Sequence, residues 1–291
     1  AERMAEILAS TGDYRILRRL RPLSFSTPTA KLTKRGVFVD VETTGLDASK
    51  DAVIELGMVP FDYTLDGTIV AVGEPFGSLR DPGIPIPAEI TALTGITDEM
   101  ARGVRIDPDE VSAFVDQAAL VISHNASFDR PFCQREWPLF ATKAWACSLR
   151  EIDWAAEGFT GKKLSQIAAG YGLFFDAHRA VDDCHAGVEI LTRKLPRTGR
   201  SGFAALLQSA RTPRWRIWAE GAPYALRELL NNRGYRWSPG DESAPKAWHL
   251  EVLEGDLESE LQFLRSEIFG GKEVEIPRRV FTAFDRYSIP C

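Results

Sequence analysis

Two carboxylates stand two residues apart in Val39-Asp40-Val41-Glu42. Successive side chains of a strand point to opposite faces, so Asp40 and Glu42 leave the same face. Side by side they repel, and a divalent cation between them is a low-cost remedy. Thr43-Thr44-Gly45 ends the strand, and polar groups at the carboxyl edge of an α/β sheet sit where ligands bind. Further on, His124-Asn125-Ala126-Ser127-Phe128-Asp129 puts Asp129 in the first turn of a helix, and His178-Arg179-Ala180-Val181-Asp182-Asp183 opens another. On a continuous helix five residues turn through about 140°, so His178 and Asp183 converge only if His178 lies in the loop just before it. Each piece alone has a plainer explanation. Acids at a strand end are solvated, Asp129 and Asp182 compensate helix dipoles, Asn125 and Ser127 cap, and His178 caps or faces water.

The elements that must position these residues read as follows. Val37, Val39 and Val41 alternate with Phe38, Asp40 and Glu42 at strand period. AVIELGMVPFDY is a second β-run, and Asp66-Gly67 turns it into TIVAVGEPFGSL. IPAEITALTGIT and DPDEVSAFVDQA are helix-like. ALVIS (119–123) is a short strand, residues 127–136 a helix, WACSLREI a further strand, KLSQIAAGYG a helix and RAVDDCHAGVEILTRKL a long amphipathic helix. Three β-runs followed by alternating helices and strands predict a mixed α/β sheet with helices on both faces. Residues 1–33 form an N-terminal extension packed on, or arm-like beside, the domain at 34–195. Residues 196–213, opening with PRTGRSGF, predict a basic linker. Residues 214–291 predict a small α+β module.

The 291 residues are 44% hydrophobic and 26% charged, globular values that exclude wholesale disorder and coiled coil. There is no run of about 18 apolar residues to span a bilayer, and the first residues lack the apolar stretch of a secretory signal. Cys133, Cys147, Cys184 and Cys291 are far apart and predict reduced thiols in a cytoplasmic protein, neither a disulfide framework nor a zinc site. The net charge of −6 hides a pattern: +3 over residues 1–33, −12 over 34–189, +7 over 190–219 and −4 over 220–291.

Taken together, Asp-x-Glu, His-Asn-x-x-Phe-Asp and His-x4-Asp resemble the three motifs of the DEDD superfamily, in its histidine-containing, DnaQ-like branch of 3'–5' exonucleases. VDVETTGL fits the first motif, SHNASFDRPF the second and HRAVDDCHA the third. IPAEITALTGIT resembles the Leu-Thr-Gly-Ile segment between the first two. The resemblance covers about residues 36–195, and no catalytic position departs from it.

What the resemblance implies is a ribonuclease-H-like fold and two-metal phosphodiester hydrolysis. Asp40, Glu42, Asp129 and Asp183 would hold two Mg²⁺ or Mn²⁺ ions, which suit all-carboxylate ligation. His178 would be the general base, histidine's ordinary pKa of about 6.5 suiting work near neutral pH. Thr43, Thr44 and Leu46 would touch the terminal nucleotide, with Leu46 against the base. Asn125 and Phe128 would line the path of the second nucleotide, and Leu93 and Thr94 would shape the pocket. His185, one turn further on, is expected at the surface. The expected partner is nucleic acid with a free 3' end, DNA favoured over RNA and single-stranded ends expected, since the terminal nucleotide must enter unpaired. An RNA exoribonuclease, a proofreading subunit acting with a DNA polymerase, and a non-catalytic scaffold are the alternatives. The scaffold would have lost a carboxylate, and none is missing. A free-standing exonuclease of repair or nucleic-acid processing is the favoured reading, with no membrane partner.

Phosphate binding needs cations. Candidates are Arg15, Arg18, Arg19 and Arg21 in the extension, and Arg193, Lys194, Arg197, Arg200, Arg211, Arg214 and Arg216 beyond the third motif. Arg130, Arg135 and Arg179 stand within or beside the motifs, in reach of phosphates. The last module interleaves Trp215, Trp218, Trp237 and Trp248 with arginines. These aromatics are expected mainly in its core, with Trp237 or Tyr235 as the exposed exception available for base stacking.

Overall fold

In the computed structural model, which describes residues 1–240 and 245–288, the chain divides into two units, Ala1–Ser209 and Ala210–Cys291. The first opens with helix α1 (Glu2–Ser10) and two short strands, β1 (Arg18–Arg19) and β2 (Phe25–Ser26). The sheet is then built from β3 (Thr33–Thr43), β4 (Val53–Thr64), β5 (Ile69–Val72) and β6 (Phe76–Leu79). Three helices follow, α2 (Ala88–Thr94), α3 (Asp98–Ala101) and α4 (Pro108–Asp116). Next come β7 (Ala118–Ser123), α5 (Ala126–Glu136), β8 (Trp145–Cys147), α6 (Leu164–Gly170), β9 (Leu173–Phe174), α7 (Ala180–Thr192) and α8 (Gly202–Arg211).

The main sheet has the order β2-β5-β4-β3-β7-β8, with β6 pairing with Glu55–Met58 of β4, beside the stretch Phe61–Tyr63 that β5 takes. β3 runs antiparallel to β4 and parallel to β7, and β7 parallel to β8. This is the mixed α/β sheet that the sequence predicts. Val37, Phe38 and Val39 are all fully buried, so β3 is covered on both faces, as central strands of such sheets are. Polar alternation appears only at its end, where half-buried Asp40 and Glu42 flank buried Val41. Helix α7 lies against β3 and β4 at backbone distance. A Cβ on Gly187 would stand 2.1 Å from the Phe38 ring, and one on Gly57 2.4 Å from the carbonyl carbon of Ala180.

Two local expectations change, and one left open between two alternatives is decided. The strand predicted over WACSLREI stops at Cys147, because the Glu151 carboxylate accepts the Cys147 N–H at 3.0 Å and the chain turns. The segment 196–213 contains α8, whose Phe203, Leu206 and Leu207 are buried, Phe203 packing edge-on against Phe61 and Tyr63. The N-terminal extension is packed on the domain, the first of its two expected arrangements. β1 pairs in parallel with β9, and β2 pairs with β5. Cys133, Cys147 and Cys184 are buried and unbridged, while Cys291 lies outside the described residues. Among the described residues no helix is long and apolar enough to cross a membrane.

The second unit contains β10 (Arg214–Ala219), α9 (Arg227–Asn232), β11 (Arg236–Ser238), β12 (Ala247–Val252), α10 (Leu257–Phe263) and β13 (Arg278–Phe281), a small α+β unit. Its antiparallel sheet has the order β11-β12-β10-β13. Ile217, Ala219, Leu230, Tyr235, Leu261, Leu264, Ile268 and Ile276 form its core. Trp218 is buried, Trp215 and Trp248 are partly buried, and Trp237 is 51% exposed. Tyr235 is buried, with its hydroxyl donating to the Glu260 carboxylate at 2.9 Å, so of the two expected exceptions only Trp237 is exposed.

Candidate active site

The end of β3 presents the first two acids. The register with β4 shifts between Glu42 and Thr43, and the chain then leaves the sheet. Thr44 closes the following loop: its N–H donates to Ala52 O at 2.9 Å, and its hydroxyl accepts the Ala52 N–H at 3.0 Å. The first turn of α7 brings in Asp183. Asp40, Glu42 and Asp183 each offer one carboxylate oxygen, and these three oxygens lie within 4.8 Å of one another. Asp129, buried in the first turn of α5, stands beside this trio and accepts the Val41 N–H at 3.3 Å. Strand spacing put Asp40 and Glu42 on one face, and the family resemblance implied that Asp129 and Asp183 join them. The structure gathers three in one group and sets the fourth against the strand that carries two of them.

The electrostatics follow from burial and crowding. Desolvation, then repulsion from Asp129, Asp183 and Glu42, raises the Asp40 carboxyl well above its ordinary range. Desolvation pushes Glu42 up to about 8, helped by the Asp183 and Glu55 charges. It raises Asp129 to about 7, and Asp183 to about 6, where N–H donors at His178 and Arg179 oppose it. Such a set fits a hard divalent cation. All the donors are carboxylate oxygens, and positive charge among them relieves the repulsion that protonation otherwise relieves.

His178 occupies the loop just before α7, as its convergence with Asp183 requires. Its N–H donates to Asp183 Oδ2 at 2.7 Å, and its side chain is exposed. Its φ of 70° lies in the left-handed region, which costs a non-glycine residue roughly 1–2 kcal/mol and persists where neighbouring contacts over-determine it.

Glu55, absent from the sequence-predicted set, stands on β4 directly opposite Glu42 and is 4% exposed. It accepts Arg179 Nη2 at 2.8 Å and the Ala180 N–H at 3.0 Å. The available signal was a carboxylate inside the apolar run AVIEL. Among the three arginines expected near phosphates, Arg130 is buried under Trp145, 5.7 Å from the ring. Arg135 closes the loop after β3 by donating to Ala48 O and Asp51 O. Only Arg179 remains beside the acids. His185 is 5% exposed rather than at the surface, because α7 is buried without a break from Cys184 to Leu191. His124 is a tie between loops, its ring bonded to Ser148 Oγ at 2.9 Å and to Lys162 O at 2.7 Å, and burial lowers its pKa to about 4.

The remaining expected contacts differ in what they leave free. Leu46 is 85% exposed, Leu93 and Asn125 are exposed, and Phe128 is partly buried against Phe132. Thr43 and Thr44 are buried, the Thr43 hydroxyl donating to Gly45 O at 2.6 Å. Thr94 is buried as well, its hydroxyl donating to Ile90 O at 2.9 Å. Of the flanking arginines, Arg15 donates to Ala169 O, Arg18 pairs with Glu2, Arg19 with Asp176, Arg193 with Glu189 and Arg216 with Glu251.

The family model for RNase T, described as "Exonuclease", matches residues 37–191. The epsilon subunit of DNA polymerase III from Treponema pallidum is 34% identical over 166 residues, which is 53% of this chain and 73% of that protein. The PolC-type DNA polymerase III of Clostridium perfringens is 32% identical over 167 residues, 53% of this chain and 11% of that protein. The chain thus spans about a tenth of the length of such polymerases. Exonuclease I of Escherichia coli, solved in a zinc-bound complex with single-stranded DNA, shares the fold with a TM-score of 0.50. It is 14% identical, over 76% of this chain and 63% of that one.

Proposed function

The chain belongs to the exonuclease family, in the DEDD-type 3'–5' branch that its motifs resemble, and from that premise we propose that it removes nucleoside 5'-monophosphates from 3' ends of DNA. The observation that carries this reading is the grouping of Asp40, Glu42 and Asp183 within 4.8 Å. Members of this family use divalent metal. Here Asp40, Glu42 and Asp183, with Asp129 beside them, would hold two ions, Mg²⁺ or Mn²⁺. The chemistry these supply when bound is a clamp on the attacking and leaving oxygens of an in-line displacement.

The chain's own groups do the rest. His178 takes the proton of the attacking water as general base, from a loop whose backbone is bonded to Asp183. Exposed Leu46 lies against the terminal base, Asn125 and Phe128 flank the next nucleotide, and Leu93 borders the pocket. The loop that Thr43 and Thr44 close after β3 gives Leu46 a fixed base. Residues 34–195 carry this activity and 214–291 serve as an accessory module. DNA is favoured over RNA because the relatives named above are DNA polymerases or their subunits, and a single-stranded end is favoured because the fold neighbour was solved with single-stranded DNA.

Incubation with single-stranded DNA, duplex DNA and RNA in Mg²⁺ or Mn²⁺ tests this directly. Mononucleotides should appear fastest from single-stranded DNA, and EDTA should stop their release. Equal or faster RNA cleavage would overturn the DNA assignment. The same relatives favour a second reading, proofreading in concert with a polymerase, which co-purification with a replicative polymerase would support.

A further inference from the structure

Glu55 has no role in the chemistry described so far, yet it lies on the same sheet face as Glu42, among four other acids. A buried carboxylate there adds repulsion unless it is matched by donors. It is so matched, and on both oxygens. Oε1 takes Arg179 Nη2 at 2.8 Å and Nε at 3.2 Å, and Oε2 takes the Ala180 N–H at 3.0 Å. Glu55 is outside the trio that can share a cation.

The donors it holds are those of the first turn of α7. That helix has Arg179 at its N-cap, with no side-chain cap bond of its own. An arginine cannot accept, so the open N–H groups of the first turn need an acceptor from elsewhere. Glu55 is that acceptor, delivered from β4, 124 residues earlier in the chain. Gly57, two residues further along β4, permits the approach, since any Cβ there would collide with the Ala180 peptide. Three successive residues are thereby fixed: His178 through its N–H to Asp183, Arg179 through its guanidinium, and Ala180 through its N–H. The left-handed turn at His178 lies at the head of this clamp.

We propose that Glu55 is a positioning residue, a surrogate helix cap that acts through Arg179 and Ala180 to aim the His178 imidazole and Asp183. This rests on the exonuclease reading above. It places the control of imidazole geometry on β4, away from the third motif itself.

The test is a double-mutant cycle on the full chain with Glu55→Gln and Arg179→Met. Each single variant should lower kcat about ten-fold with KM changed less than two-fold, and the double variant should be no worse than about ten-fold. In EDTA, hydrogen exchange over residues 175–186 should quicken in both single variants while β3 stays protected. A kcat within two-fold of wild type for Glu55→Gln would overturn the proposal. So would losses that multiply to about a hundred-fold, or a kcat loss matched by an equal loss of folded protein. An inactive wild type would instead refute the exonuclease reading, leaving the exchange result to judge the clamp.

Discussion

The acids of the site work against the fold when no cation is present. Glu42 at about 8, Asp129 at about 7 and Asp183 at about 6 all bind protons more tightly in the folded chain than unfolded carboxylates, which titrate near 4. Their contribution to stability is therefore complete below about pH 4 and is lost as pH rises through the folded values. In EDTA, the site should make the protein less stable at pH 8 than at pH 5, and Mg²⁺ should raise Tm more at pH 8. Asp40→Asn removes a carboxyl whose charged form burial and its acidic neighbours disfavour. It should raise Tm in EDTA at pH 8 by about 3 °C or more, while lowering nuclease activity by about 10³-fold. A Tm at or below that of wild type would refute this account of the cluster. Periodicity alone placed Asp40 and Glu42 on one face and required His178 to lie before the helix; the acids and His178 were legible as one set because three motifs in order resemble a known family. Glu55 was not, because a single buried carboxylate does not reveal a partner on a distant helix. His185 and Tyr235 misled for a related reason: polarity at one end of a side chain does not report how much of its ring is packed.

The short elements changed most between sequence and structure. β1 and β9 are two residues each, too short to show a period, yet their pairing joins the N-terminal extension to the segment that leads into His178. Three arginines of that extension already hold partners within the chain: Arg15 donates to Ala169 O, Arg18 pairs with Glu2 and Arg19 with Asp176. Arg18 N–H and Leu20 N–H donate to Gly172 O and Phe174 O, and the Arg19 guanidinium meets Asp176 and lies 5.0 Å over the Phe174 ring. Such exposed pairs are individually weak, so they act as anchors alongside the backbone bonds and buried Leu20. A variant carrying Arg15→Ala, Arg18→Ala and Arg19→Ala should keep the slope of log Kd against log salt for an oligonucleotide within about 0.9 of wild type, the share of one phosphate contact. A slope reduced by two contacts or more would return these residues to the binding surface. Helix α8 was read as linker because Gly, Ser and Arg dominate its approach, although Phe203, Leu206 and Leu207 already carried helical spacing.

For the molecule as a whole, a net charge of −6 argues against coating nucleic acid by bulk attraction. The internal pairing of several flanking arginines strengthens that point. Engagement at a single metal-charged end is what such a charge distribution suits, and it makes direction of attack the central claim. The deciding measurement is a time course on single-stranded DNA carrying a 5' label on one sample and a 3' label on another, with Mg²⁺. The account predicts immediate release of the 3' label as a mononucleotide and a ladder shrinking by single nucleotides under the 5' label, both abolished by Asp40→Asn. Release of the 5' label first, internal cleavage products, or no degradation with either metal would contradict it.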